Sequence, residues 1–316
     1  MTPLSDQVTV AVFSYNRGAY LQHCLASIHR NMPFAVVRVY DDRSDDVETC
    51  AILAELEVEV IQPSAVVKAQ HGGLYANMQR ALDHAETDYL IFMQDDMQIV
   101  RPVDSTDLAA IAAIYADDPD CALVSPMFMK GAYAKKVLEQ YVPAPQPRSY
   151  HTNPSIPKEA MRYAFSDVCL IHVGRSRSAG FRIVEGEGHN EVQAKALFSR
   201  MPLMADPFAF YCPEVPTFRN RRRPLSGRLA RRFYKPKGIG FVDMTQVETA
   251  AFRSRSLDHW PFAEDYLRPE NPNARRPFVF QDFQSTLALR ILSRLEYWVL
   301  SGRRKIKRWR ARHGNP

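Results

Sequence analysis

Three short polar clusters, each directly after an apolar run, carry the residue types that chemistry on a charged substrate requires. They are Ser14-Tyr15-Asn16-Arg17 after Val8 to Phe13, Asp41-Asp42-Arg43-Ser44-Asp45-Asp46 after Ala35 to Tyr40, and Gln94-Asp95-Asp96-Met97-Gln98 after Tyr89 to Met93. Two adjacent carboxylates at the end of a buried strand repel each other, and a bound cation or a set of hydrogen-bond donors relieves the repulsion. Carboxylate oxygens suit Mg²⁺ or Mn²⁺, which neutralise a diphosphate and assist its departure as a Lewis acid. Asp95-Asp96 taken alone reads equally as the start of a surface turn. The two other clusters favour the chemical reading, provided that all three share one sheet edge.

The elements that would place them there are legible as alternating periodicities. Helical spacing of Leu21, Leu25 and Ile28 marks Ala19 to Arg30; further helices are predicted over Val47 to Leu56 and Leu74 to Glu86, with a short strand at Val58 to Ile61 between them. Strands separated by such helices need crossover connections, which gives an α/β fold with a mostly parallel, doubly wound sheet and helices on both faces. Ligands of such sheets bind beyond the carboxyl ends of the strands, where the three clusters fall.

Beyond residue 100 the pattern predicts a helix over Ser105 to Tyr115, strands at Ala122 to Met127, Phe165 to Val173 and Phe208 to Cys212, and a short helix over Asn190 to Phe198. Lys130 to Pro157 has no clear period and reads as a long functional loop or insertion. After Pro213 the chain turns Arg- and Pro-rich and reads as irregular until a helix over Phe283 to Leu300. The division expected is a catalytic domain over 1–220, with a nucleotide-binding half (1–100) and an acceptor half (101–220), followed by a basic C-terminal extension over 221–316.

The 316 residues carry a net charge of +6, but nine Lys/Arg lie between Arg219 and Lys237 and seven between Arg303 and Arg312. The remaining chain has twenty-five bases against thirty-five acids, so an acidic body bears two basic segments. That localisation suits contact with phosphates or anionic lipid rather than the coating of nucleic acid, and no nucleic-acid partner is expected. Five scattered cysteines, without a Cys-x-x-Cys pair, suggest neither a disulfide framework nor a zinc site. The opening residues lack the pattern of a secretory signal, and a cytoplasmic location is expected, with peripheral attachment to the inner face of the membrane if the basic tail engages it.

The ordered set of motifs over roughly residues 7 to 100 resembles the family 2 glycosyltransferases. The resemblance lies in Val8 to Arg17 with Tyr20 to Ile28, in the acidic loop Asp41 to Asp45, in Gly72-Gly73-Leu74-Tyr75-Ala76-Asn77 at a helix start, and in Tyr89 to Asp96 as the strand ending in an Asp-x-Asp type motif. It implies a GT-A type, Rossmann-like fold and inverting transfer of a sugar from a nucleoside diphosphate, UDP or dTDP favoured, to a hydroxyl of a glycan or lipid-linked glycan. It further implies that Tyr15 stacks on the nucleobase, Asp41 accepts its ring N–H, Arg17 neutralises phosphate, and Asp95 binds ribose or sugar hydroxyls. Ser14 joins the donor site, and Asp96 is the ligand of Mn²⁺ or Mg²⁺. The competing readings are a half-buried core aromatic for Tyr15 and a solvated charge for Arg17.

Two features depart from the family pattern. Where the family places the Asp of a Glu-Asp pair as general base, this chain has Asn190-Glu191, so Glu191 is the expected base, with Glu187 and Glu185 in reserve; a helix cap explains Asn190-Glu191 equally. The family's later histidine has no counterpart in Thr217-Phe218-Arg219-Asn220, and either water or Arg219 and Arg221 to Arg223 would stand in for it. The tail, with Ile291, Leu295 and Trp298 at helical spacing before Arg303 to Arg312, reads either as an interfacial helix for an anionic membrane or as a helix packed on the catalytic domain. A nucleotidyltransferase and a catalytically inactive relative are the alternatives; the former usually carries a Gly-rich phosphate loop after the first strand, which Ser14 to Gly18 is not.

Overall fold

The apolar run at the N-terminus forms the central strand β1 (Val8–Ser14), buried along its whole length and flanked by parallel neighbours β2 (Val36–Asp41) and β4 (Tyr89–Gln94). The structure, a computed structural model, describes residues 7–65, 73–161, 165–216, 224–233, 238–278 and 286–313. Its main sheet is six-stranded and also contains β3 (Glu59–Ile61), β6 (Leu123–Val124) and β9 (Leu170–His172), in the order β3-β2-β1-β4-β9-β6. Only β9 runs against its neighbours in this sheet. A continuous apolar run is what a parallel strand covered on both faces requires.

Alternation along the strands sends side chains to two separate cores. Val8, Val10 and Val12 with Ile91 and Met93 meet Leu21, Cys24, Leu25 and Ile28 of α1 (Gly18–Asn31) and Leu108, Ile111 and Ile114 of α4 (Ser105–Asp117). Ala11, Phe13, Leu90 and Phe92 meet Tyr75, Met78, Ala81 and Leu82 of α3 (Leu74–His84) on the other face. Helix α2 (Val47–Ala54) connects β2 to β3 and starts with Asp46 capping the Thr49 N–H at 3.0 Å. The α/β fold with helices on both faces is as expected.

The stretch from Lys130 to Pro157 is not a loop. It contains the short helix α5 (Ala134–Gln140) and the hairpin β7 (Tyr141–Pro145) and β8 (Arg148–Thr152), joined across the cis peptide Gln146-Pro147. Pro143 and Pro145 obscure this strand in the sequence, and they are tolerated because β7 is the edge of the small sheet β10-β8-β7, with β10 at Leu203–Met204. The expected strand over Phe165 to Val173 is shorter: β9 begins only at Leu170, and α6 (Val173–Ser178) starts directly after it.

The segment after Pro213 is also more ordered than its composition suggests. Helix α8 (Leu225–Phe233), the bridge pair β12 (Phe241–Val242) and β13 (Arg268–Pro269), α9 (Gln246–Arg253) and α10 (Ala263–Tyr266) lie there. Phe241, Phe252, Leu267 and Phe278 belong to the same core as β1 and α1, so residues 238–278 pack on the body of the molecule. The buried Gln98 of β5 (Met97–Ile99) fixes this return, bonding Phe241 through both N–H (2.8 Å) and C=O (2.8 Å) and reaching Asp243 at 2.7 Å. The described chain also contains α7 (Glu187–Leu197) and β11 (Ala209–Tyr211), which pairs with β5. A terminal helix, α11 (Leu287–His313), extends past the expected end at Leu300.

Candidate functional site

The strand order places β1 and β4 side by side at the point where the connections diverge, the position at which open α/β sheets bind ligands. Backbone bonds carry the alignment past the strand ends: the Asp42 N–H donates to Ser14 O (2.9 Å) and the Asp95 N–H to Phe13 O (2.9 Å). Asn16 then clips the first two loops together. Its N–H donates to Ser44 Oγ (2.9 Å), its Nδ2 to Asp45 Oδ1 (2.6 Å), and its Oδ1 accepts the Asp45 N–H (2.8 Å). The clip requires φ of 52° at Asn16; Arg43, at 55°, is the other non-glycine residue with positive φ among those described. Both lie at strand ends of the site, where strained backbone persists because the surroundings over-determine it.

Asp41 is fully buried, and its carboxylate accepts from the Ser44 hydroxyl (2.6 Å), the Ser44 N–H (2.8 Å) and the Gln62 amide (2.8 Å). Asp42, beside it, accepts the Gly73 N–H at 2.8 Å, and a Cβ at Gly73 would collide with that carboxylate, so the glycine makes room for the contact at the start of α3. Ser44, Asn16 and Asp42, named in the clusters without individual roles, and Gln62, outside them, are thus neighbours of the candidate site residues.

Asp95 and Asp96 are buried, with 1% and 0% of their surface exposed, and the Arg17 guanidinium lies between them. Arg17 Nη1 is 3.3 Å from Asp95 Oδ1 and bonds Asp96 Oδ2, while Asp95 Oδ2 accepts the Tyr15 N–H at 3.0 Å. Burial pushes the Asp95 carboxyl up to about 6, against the lowering effect of Arg17 and the Tyr15 N–H. The arrangement is incomplete: Ser14 Oγ, Arg17 Nε, Asp95 Oδ1 and Asp96 Oδ1 are buried without a hydrogen-bond partner among the described residues. Buried polar atoms left in this way can be satisfied by ordered water, an ion or a ligand. Two carboxylate oxygens fit Mg²⁺ or Mn²⁺, which bind through one or two carboxylates and complete their shells with water and phosphate. No group of three or more His, Cys, Asp or Glu that could hold a metal occurs among the described residues.

A second set of groups adjoins this one through β11. Tyr211 pairs with Met97, the residue after Asp96, and the Cys212 N–H donates to Asp96 O at 2.8 Å. The Tyr211 ring carries the Lys130 ammonium 4.1 Å from its centroid, and burial together with the nearby Asp167 and Glu187 raises its phenol. The Tyr75 hydroxyl of α3 donates to Asp167 Oδ2 at 3.2 Å. Glu191, the expected base, forms an ion pair with Lys195 at 2.9 Å, one turn on in α7. α7 begins at Glu187 rather than Asn190, and the buried Asn190 instead staples the preceding loop through Val184 N–H and C=O, both at 2.8 Å.

The sequence pattern of Glycosyl transferase family 2 matches residues 9–168, just over half of the chain. The chain belongs to glycosyl transferase family 2. No curated protein matches it. Among solved structures it is similar to S. aureus TarS 1-349, at 19% identity over 66% of this chain and 60% of that one, TM-score 0.45. It is also similar to the same protein in complex with UDP (18%, 64% and 59%, TM-score 0.44). A third similarity is to the mannosyltransferase PcManGT from Pyrobaculum calidifontis in complex with GDP-Man and Mn²⁺ (17%, 64% and 57%, TM-score 0.42). The chain spans about 60% of the length of these structures.

Within this family 2 chain, Ser14, Tyr15, Arg17, Asp41, Asp95 and Asp96 come together at one sheet rim, joined by the contacts above. The family match includes Asp167 and stops before Glu187 and Glu191. Arg219 and Arg221 to Arg223, the expected stand-ins for the family's later histidine, lie outside the described residues.

Proposed function

We propose that the protein is an inverting glycosyltransferase that moves a sugar from a nucleoside diphosphate, UDP or dTDP favoured, to a hydroxyl of a glycan or lipid-linked glycan. The observation that carries this reading is the incomplete polar cluster at the β1/β4 rim: an arginine, two buried carboxylates and a serine hydroxyl, with oxygens and a nitrogen left for a ligand. In this reading Tyr15 stacks on the nucleobase and Asp41 accepts the ring N–H of the base, its carboxylate already oriented by Ser44 and Gln62. Arg17 brings its guanidinium to the diphosphate, Ser14 and Asp95 bind donor hydroxyls, and Asp96 with Asp95 would hold Mn²⁺ or Mg²⁺. When bound, the cation supplies Lewis-acid assistance to departure of the nucleoside diphosphate. The nucleotide half is residues 1–100 and the acceptor half 101–220, with 238–278 packed against them.

The test is release of free nucleotide from UDP-, dTDP- and GDP-sugars with and without Mn²⁺. Release from a UDP- or dTDP-sugar is the expected result. No release from any donor, together with no nucleotide binding, removes the transferase reading.

The same proposal includes attachment to an anionic membrane. Leu287, Ile291, Leu295 and Trp298 form one stripe of α11 and are all exposed, Trp298 by 75%. On another face, Glu296 accepts the Leu225 and Ser226 N–H groups of α8, so the contact with α8 leaves the apolar stripe outward. The basic run from Arg303 to Arg312 follows in the same helix. An apolar stripe beside dense positive charge suits an anionic leaflet, and no described helix is long and apolar enough to cross one. Deleting residues 303–316 is expected to abolish co-sedimentation with anionic vesicles, at about 1 kcal/mol per basic residue near the surface; full retention would refute attachment by the tail.

A further inference from the structure

The acidic groups outside the donor cluster differ in what holds them. Glu191 is engaged by Lys195. Asp167 is held through one oxygen, Oδ2, by the Tyr75 hydroxyl; its Oδ1 is buried and has no hydrogen-bond partner among the described residues. Next to it in the chain, Ser166 lines a largely apolar cavity of about 110 Å³ together with Lys130, Tyr211, Met127, Met201 and Leu203. The cavity is tied to the donor cluster by a short covalent and hydrogen-bonded path, because Tyr211 is paired with Met97 and followed by Cys212, which bonds Asp96. One wall of the cavity therefore belongs to the strand that abuts Asp96, and another to the residue preceding Asp167.

We propose that Asp167 is the general base of the transfer and that the acceptor's reacting hydroxyl approaches it from the cavity beside Lys130 and Tyr211. This rests on the transferase reading above. In the step, the acceptor O–H gives its proton to Asp167 Oδ1 while the oxygen lone pair forms the bond to the anomeric carbon. The bond from that carbon to the diphosphate breaks, its electron pair leaves with the diphosphate, and the proton passes from Asp167 to solvent. Tyr75 fixes the carboxylate through Oδ2 and leaves Oδ1 for the proton.

The environment is one that suits a base working near neutrality. Facing Asp167 are Tyr75 from α3, Tyr211 from β11, Glu187 from the start of α7, Glu185 just before it, and Cys169 in its own segment. Burial first, and then the like charge of Glu187, push the Asp167 carboxyl up to about 7. Its folded value is raised, so the basic form appears as pH rises through about 7, and turnover rises with it.

The experiment follows hydrolysis of the most rapidly turned-over sugar nucleotide of the panel, with water as acceptor, and binding of the corresponding nucleoside diphosphate with Mn²⁺ by calorimetry. Asp167→Asn is expected to lower turnover by about 100-fold or more with diphosphate binding unchanged. Glu187→Gln is expected to move the acidic limb of kcat/KM to lower pH, a readout that holds even where Asp167→Asn fails to fold. Full turnover in Asp167→Asn, or an acidic limb unmoved by Glu187→Gln, overturns the assignment while leaving the transferase standing. Absence of turnover and binding in the wild type overturns both.

Discussion

The molecule holds two buried clusters of arginine and aspartate with opposite characters. In the first, Arg101 is completely buried and each of its guanidinium donors is used: Nε bonds Pro207 O (2.9 Å), Nη1 bonds Pro102 O (2.8 Å) and Asp107 Oδ2 (3.1 Å), and Nη2 bonds Asp107 Oδ1 (2.7 Å) and Asp206 O (2.5 Å). Arg253 of α9 adds a second cation to Asp107 and also pairs with Asp104 at 2.8 Å, so the cluster bolts the 238–278 segment to the start of α4. In the second cluster, one nitrogen of Arg17 serves two carboxylates, and both an oxygen of each and Arg17 Nε lack hydrogen-bond partners among the described residues. The first is closed and holds structure. The second has two acids to one base and leaves polar atoms where the proposed donor and cation would bind.

That contrast can be broken by substitution. The largest effect is expected for Asp107→Ala, which strands the fully buried Arg101 and should cost about 3–5 kcal/mol of stability, read as a fall in denaturation midpoint. Nucleotide release per folded molecule should be unchanged. Next is Asp96→Ala, which should reduce nucleotide release by at least about 100-fold, equivalent to about 2.7 kcal/mol. It should not lower thermal stability in the absence of ligand, since it removes one of two like charges that share Arg17. A large loss of stability in this variant, comparable with that of Asp107→Ala, would show that both clusters are structural. The smallest effect is expected at the clip between loops. Asn16→Ala loses the three side-chain hydrogen bonds to Asp45 Oδ1, the Asp45 N–H and the Asp46 N–H and keeps a positive φ that costs about 1–2 kcal/mol without a compensating side chain, whereas Asn16→Gly loses the bonds alone and should be less destabilised. Equal stability of the two variants would show that φ at this position carries no strain.

The rim was legible because its signals are local. An apolar run followed by Ser14 to Arg17, or by Asp95-Asp96, needs only the rule that parallel strands present their carboxyl ends to one edge. The hairpin of β7 and β8 was not legible, because Pro143 and Pro145 read as breakers until the strand is known to be an edge. Phe241, Phe252 and Phe278 carry no common period, and only the Gln98 bonds to Phe241 and Asp243 reveal why that segment returns to the core. Glu191 rests on the family resemblance, and what the structure adds is its ion pair with Lys195, four residues on in α7.

By itself, the sequence determined the alternating α/β plan and the three acidic and basic loops that end its strands, since hydrophobic periodicity and strand-end polarity are properties of neighbouring residues. The tertiary structure decided which carboxylates are satisfied and which are left open. Asp167 meets Tyr75 across 92 residues and Arg17 meets Asp96 across 79, and burial and charge at such separations are set by packing, which no local pattern encodes.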